Sequence, residues 1–177
     1  MPHQLGDSVW KESEPEIIAG LYRVDTQATP VELSFGSASR VRGEMFLRPS
    51  IVTADGVESI ADRMNDRDAF FPLRVAEPTP GTLLVGKTQV RYVCAEDPPV
   101  PTALIAGGAV QLTMTLELDD GELLSGVFFA VMPPGKRRAL DFINRDDGLF
   151  VPFFSEQRQY VVNRSFIRSV IDRTPEG

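Results

Sequence analysis

Val31, Leu33 and Phe35 alternate with Glu32 and Ser34, the period of a strand with one wet face. After a Gly36-Ser-Ala-Ser39 turn, Val41, Gly43, Met45 and Leu47 alternate with Arg40, Arg42, Glu44 and Phe46. Between Asp55 and Met64 the spacing changes: Val57, Ile60, Ala61 and Met64 fall at helical intervals and predict a short amphipathic helix. Phe70 to Val75 and Thr82 to Val93 read as strand again. Downstream, Val110, Leu112, Met114, Leu116 and Leu118 alternate with Gln111, Thr113, Thr115 and Glu117, and Asp119-Asp-Gly-Glu122 has the composition of a turn. The run from Leu123 to Met132 differs. It is apolar on both faces, so a strand there needs cover on both sides.

The second half of the chain repeats the first. Val31–Phe35 and Arg40–Leu47 align with Met114–Leu118 and Leu123–Ala130, and Ile60–Asn65 aligns with Ala139–Asn144. Phe70–Leu73 aligns with Phe150–Phe153, and Leu84–Val93 with Val161–Val170. The identities retained are Gly43/Gly126, Asp62/Asp141, Asn65/Asn144, Phe70/Phe150, Pro72/Pro152 and Arg91/Arg168. Length differences fall between the blocks, where loops absorb them.

Composition narrows the classes. The 177 residues suit one medium domain or two small ones, with 42% hydrophobic content for a core. A unit of roughly 65–75 residues is marginal alone, so the halves are expected to pack together. The net charge of −7 disfavours broad capture of nucleic acid or anionic lipid. A single cysteine, Cys94, excludes an internal disulfide framework and a cysteine-based zinc site. The start, Met1-Pro-His-Gln, has no signal-peptide character, and Ala103 to Leu112 is too short to span a bilayer. These features point to a cytoplasmic protein without membrane insertion.

Apparent chemical motifs have structural readings. Gly81-Thr-Leu-Leu-Val-Gly86-Lys87-Thr88 fits the phosphate-loop pattern, but its interior is strand-like and an alternating segment follows in place of a helix. Asn144-Arg-Asp146-Asp147-Gly148 lacks the spacing of a calcium loop. The sole histidine, His3, leaves serine–histidine or cysteine–histidine catalysis without a base. Asp62 and Asp141, each followed three residues later by asparagine, read as capping or turn residues rather than as a carboxylate pair. No catalytic, cofactor or metal residues are assigned, and no cofactor is expected.

Leu118-Asp-Asp-Gly121-Glu-Leu-Leu-Ser-Gly126-Val-Phe-Phe129 resembles the first Sm motif, where a turn glycine and a strand glycine flank a bent second strand. Tyr160–Val170 resembles the second Sm motif, two strands joined by a tight turn. The first repeat matches through Gly43 and Leu83–Val93. The resemblance to degenerate tandem Sm-like domains implies a mainly β fold of two tandem small Sm/SH3-like β-barrels, each with one short helix, packed as a pseudo-symmetric pair. The chain then divides into an N-terminal arm and short helix (1–30), a first barrel (31–95), a Pro-rich linker (96–109) and a second barrel (110–177). The Sm RNA pocket does not carry over: Asp141 and Asn144 come late, and the turns read Asn163-Arg164 and Gly86-Lys87.

Together these readings describe a non-enzymatic accessory subunit that docks on a larger protein assembly, either soluble or on the cytoplasmic face of a membrane complex. Interaction residues are assigned to Trp10 and to Leu123, Val127, Phe129 and Val131 of the doubly apolar strand. Partners are proteins of a multi-subunit complex, nucleic acid is disfavoured, and a homo-oligomer stays open. The alternative is an RNA- or nucleotide-binding module of Sm-like or PilZ-like type. Arg164-Ser-Phe-Ile-Arg168 resembles the PilZ arginine pair, and Lys136, Arg137 and Arg138 add a basic cluster.

Overall fold

Each alternating segment forms a strand, because one apolar face and one polar face suit a sheet covered on one side. The computed structural model describes residues 26–37, 39–49, 57–96, 105–133, 135, 138–145, 148–155 and 158–173. In the first half, β1 (Gln27–Phe35), β2 (Arg40–Leu47), α1 (Ile60–Asn65), β3 (Phe70–Val75), β4 (Gly81–Gly86) and β5 (Val90–Glu96) follow in order. The second half repeats the series as β6 (Val110–Leu118), β7 (Leu123–Ala130), α2 (Ala139–Ile143), β8 (Phe150–Phe154), β9 (Arg158–Asn163) and β10 (Ile167–Asp172). The expected strand over 82–93 is broken: a 3-10 turn, Lys87–Gln89, separates β4 from β5, and Arg164–Phe166 does the same between β9 and β10. Trp10 and the N-terminal helix lie outside the described residues, as do Lys136, Arg137, most of the linker and the start of the segment read as helix from Asp55. Among the described residues no helix is long and apolar enough to cross a membrane.

The expectation of two closed barrels needs correction. The strands form one open antiparallel sheet in the order β10-β6-β7-β8-β9-β5-β1-β2-β3-β4. The reason is a choice of partner. One edge of β5 takes β1, and its other edge takes β9 of the second half instead of β4 of its own half. β4 and β10 are thereby left as the two ends of the sheet.

Two apolar clusters fill the interior, and they share strands. The first gathers Leu33, Met45, Met64, Phe71, Leu73 and Val93, and the second Leu112, Met114, Leu116, Phe128, Phe142 and Phe153. β5 contributes Tyr92 and Cys94 to the second cluster and Val93 and Ala95 to the first. α1 starts on a full capping box, whereas α2 has only the aspartate half of one. Asp62 accepts from the Ser59 backbone N–H at 3.1 Å and from its hydroxyl, and Asp141 accepts from the Arg138 N–H at 3.3 Å. The two repeated aspartates are therefore structural, at the first turn of each helix.

The paired glycines occupy matching crossings. A Cβ on Gly43 would lie 2.5 Å from the Arg74 carbonyl oxygen, and one on Gly126 2.3 Å from that of Phe154. At each crossing the third strand of the half passes directly against the second. The bend anticipated at these positions is thus a close backbone approach that only glycine allows.

Candidate interaction surface

The two halves meet at β5 and β9. Tyr92 faces Val162, Val93 faces Val161, Cys94 faces Tyr160, Ala95 faces Gln159 and Glu96 faces Arg158. Tyr92 and Tyr160 cross edge to face with ring centres 5.3 Å apart. Burial pushes the Cys94 thiol above its ordinary range and, with the nearby Glu122 carboxylate, raises the Tyr92 phenol to about 12.

Charge closes one end of this junction. Arg91, wholly buried, donates Nη1 to Asp120 Oδ2 at 2.6 Å and Nη2 to the other oxygen of the same carboxylate. Its Nε lies 2.9 Å from Asp119 Oδ1, close enough for charge attraction but off the hydrogen-bond direction. Glu122 accepts from the Tyr92 hydroxyl at 3.1 Å and from Arg40 at 2.8 Å. The hydrogen bonds from Arg91, then that from the Glu122 backbone, hold the Asp120 carboxyl below the usual carboxylate range. The acidic β6–β7 turn, read from sequence as a simple turn, is the counter-charge of the first half. The only advance sign of it was that Arg91 recurs as Arg168.

A second clasp joins α1 to β8. The Asn65 side chain donates to the Phe150 carbonyl at 2.7 Å and accepts from the Phe150 N–H at 2.9 Å. Phe150 is thereby placed in the first half's apolar cluster. Asn163, also buried, donates to the Val90 carbonyl at 3.0 Å.

The ends of the sheet look different. On β4, Leu83 and Leu84 are exposed, as is Phe70 on the neighbouring β3, and on β10 Ile171 is exposed. The doubly apolar strand, β7, splits as its pattern implies. Leu124, Phe128 and Ala130 are buried, Leu123 and Val131 are exposed, and Val127 and Phe129 are half-buried. Phe129 meets Phe154 edge to face at 5.7 Å. Three of the five expected interaction residues, Leu123, Val127 and Phe129, therefore share the outer face of β7, Val131 lies just beyond its end, and Trp10 lies outside the described residues.

Lys87 does not behave as an exposed turn lysine. It is buried, and its ammonium donates to the Asp66 carboxylate and to the Asp66 carbonyl at 3.3 Å. Burial alone would push the Asp66 carboxyl up, but the Lys87 hydrogen bond, the Asp68 N–H and the charges of Lys87 and Arg63 outweigh it and hold it low. The phosphate-loop lookalike is β4 followed by a 3-10 turn, with its lysine already engaged.

The described arginines of the alternative patch, Arg138, Arg164 and Arg168, are engaged too. Arg168 lies 3.3 Å from Glu117 and donates to the Asp119 carbonyl, Arg164 donates to the Arg145 carbonyl, and Arg138 lies 3.6 Å from Asp141. A cleft of about 900 Å³ over β2, β3 and β4 carries Arg40, Arg42 and Arg74, but each of these pairs with Glu32, Glu44 or Glu122. No protein-family model matches the sequence, and no curated protein or solved structure is significantly similar to it.

Proposed function

We propose that this protein is a non-enzymatic interaction subunit that engages protein partners through the free ends of its sheet and the outer face of β7. One observation carries the reading: β4 and β10 end the sheet while bearing exposed Leu83, Leu84 and Ile171. Sheet edges bind by adding a strand, with backbone hydrogen bonds for affinity and side chains for specificity. Monomeric proteins usually blunt such edges with charge, proline or cover, and β4 has no charged residue. The Sm-like and pseudo-symmetric readings of the two halves belong here as well. They are supported by the strand glycine and the tight turn that recur in each half.

The RNA or nucleotide reading has less support, because Arg164 and Arg168 already face a carboxylate or carbonyls. The test is isolation of the tagged native protein with its bound partners, compared with Leu84→Asp and Phe129→Asp. The expected result is loss of partner from at least one variant with the melting temperature retained. Phe128→Asp, which places a charge in the second cluster, should unfold the protein instead. Full partner retention by both surface variants would overturn the proposal.

A further inference from the structure

We propose that copies of this chain associate head to tail, β10 of one copy adding to β4 of the next in the register of the β5–β9 junction. This self-association rests on the reading of the protein as an interaction module and names its partner. The internal junction supplies the template. Superposing the two 3-10 turns, Lys87–Gln89 and Arg164–Phe166, makes β4 the counterpart of β9 and β10 the counterpart of β5. β9 and β5 pair within the chain, whereas β4 and β10, each paired on one side, are the two ends of the same sheet among the described residues. Carrying the junction register over sets Val170 opposite Leu84, Ile171 opposite Leu83 and Asp172 opposite Thr82. No like charges oppose one another in that register, since β4 carries none.

Burial follows the same correspondence. Leu84 is 69% exposed and Ile171 45%, while their counterparts at the junction, Val161 and Cys94, are 0% and 3% exposed. Phe70 is 61% exposed and its counterpart Phe150 2%. The apolar residues at the two ends of the sheet are thus those that the internal junction covers.

The clasp between α1 and β8 makes the case specific. Asn65 holds the Phe150 backbone across the junction. The repeat retains both members as Asn144 and Phe70. Asn144 ends α2 in the half that carries β10, and Phe70 starts β3 beside β4, at opposite ends of the sheet. Among the described residues no hydrogen bond joins them, whereas between copies the same operation brings them together.

A receiving site for Phe70 exists. A cavity of about 430 Å³ beside α2 takes its apolar lining from Ala139, Leu140, Ile143, Ile167 and Val170, with Arg164, Arg168, Ser169 and Asp172 completing its wall. The apolar lining residues are the counterparts of Ile60, Ala61, Met64, Val90 and Val93, which form or flank the cluster that holds Phe150. The contact between copies lacks the buried Arg91 clamp, because the turn that Arg168 would meet is Gly36-Ser37, and Gly86 replaces Asn163. Association between copies is therefore weaker than the junction and dependent on concentration. As a heterologous contact, it repeats until it closes into a ring or runs on as a chain.

Sedimentation velocity of the full chain over a wide concentration range tests this. The wild type should exceed the monomer mass as concentration rises. Leu84→Asp, which blocks β4, and Ile171→Asp, which blocks β10, should each stay monomeric with an unchanged melting temperature. Mixed in equal amounts they should form a dimer and nothing larger, since each keeps the edge that the other lacks. Asn144→Ala should weaken association about 10-fold through two lost hydrogen bonds without altering the fold. A wild type that is monomeric throughout, a single variant that assembles as the wild type does, or a mixture that stays monomeric would overturn the proposal. A monomeric wild type whose co-purified partner is lost on Leu84→Asp would remove self-association alone and leave the wider reading standing.

Discussion

Lys87 shows how much one side chain can depend on its surroundings. Its ammonium is buried against Asp66, which also receives Arg63 at 2.7 Å. Replacing the lysine by alanine deletes a buried cation and its methylene stem, and leaves a partly buried carboxylate with one donor fewer. Lys87→Ala should lower unfolding free energy by about 1–3 kcal/mol in a urea titration, the range for a broken, largely buried charged hydrogen bond. Lys87→Met, which keeps most of the stem, should recover part of that loss. An unchanged midpoint for Lys87→Ala would mean that the pair contributes nothing. The strand pattern read over Thr82–Val93 gives no sign that Lys87 is buried. The acid that buries it, Asp66, sits in a polar stretch with no periodicity.

Strands and helices were largely legible, and their partners were not. β1, β2 and β6 follow from clean alternation and β7 from its doubly apolar run, while α1 falls where apolar spacing turns helical and α2 at the aligned block of the second half. Alternation tells a strand which face to bury but not which edge to pair, so the β5–β9 junction left no trace in the pattern. Only the structure shows β5 buried on both faces around Arg91. The junction has a chemical consequence. The Asp120 carboxyl is held low by Arg91 in the folded protein, so its contribution is present in full above the unfolded carboxylate range. It is lost as pH falls through the lowered folded value. Melting temperature against pH should therefore show Asp120→Asn less stable than the wild type near neutrality, with the gap narrowing in acid. A gap independent of pH would detach Asp120 from the clamp. Because this carboxylate is partly open to solvent, solvent screening limits the effect.

At the scale of the whole molecule, the two halves share their interiors. β5 lends residues to both apolar clusters, and β8 and β9 send Phe150 and Val161 into the first. Neither cluster is complete without the other half, so thermal unfolding should be a single transition, with fluorescence and circular dichroism coincident. Two resolved steps would show that the halves stand alone. The same sharing sets an order of events during synthesis. β5 leaves the ribosome before β6, β7, α2 and β8 have emerged, and β9, its other neighbour besides β1, emerges after all of them. At ordinary elongation rates of about 5–20 residues per second, the first half spends several seconds with that strand bare and its cluster short of Phe150 and Val161. Slowing translation beyond Glu96 would prolong that interval, whereas early completion of the second half ends it.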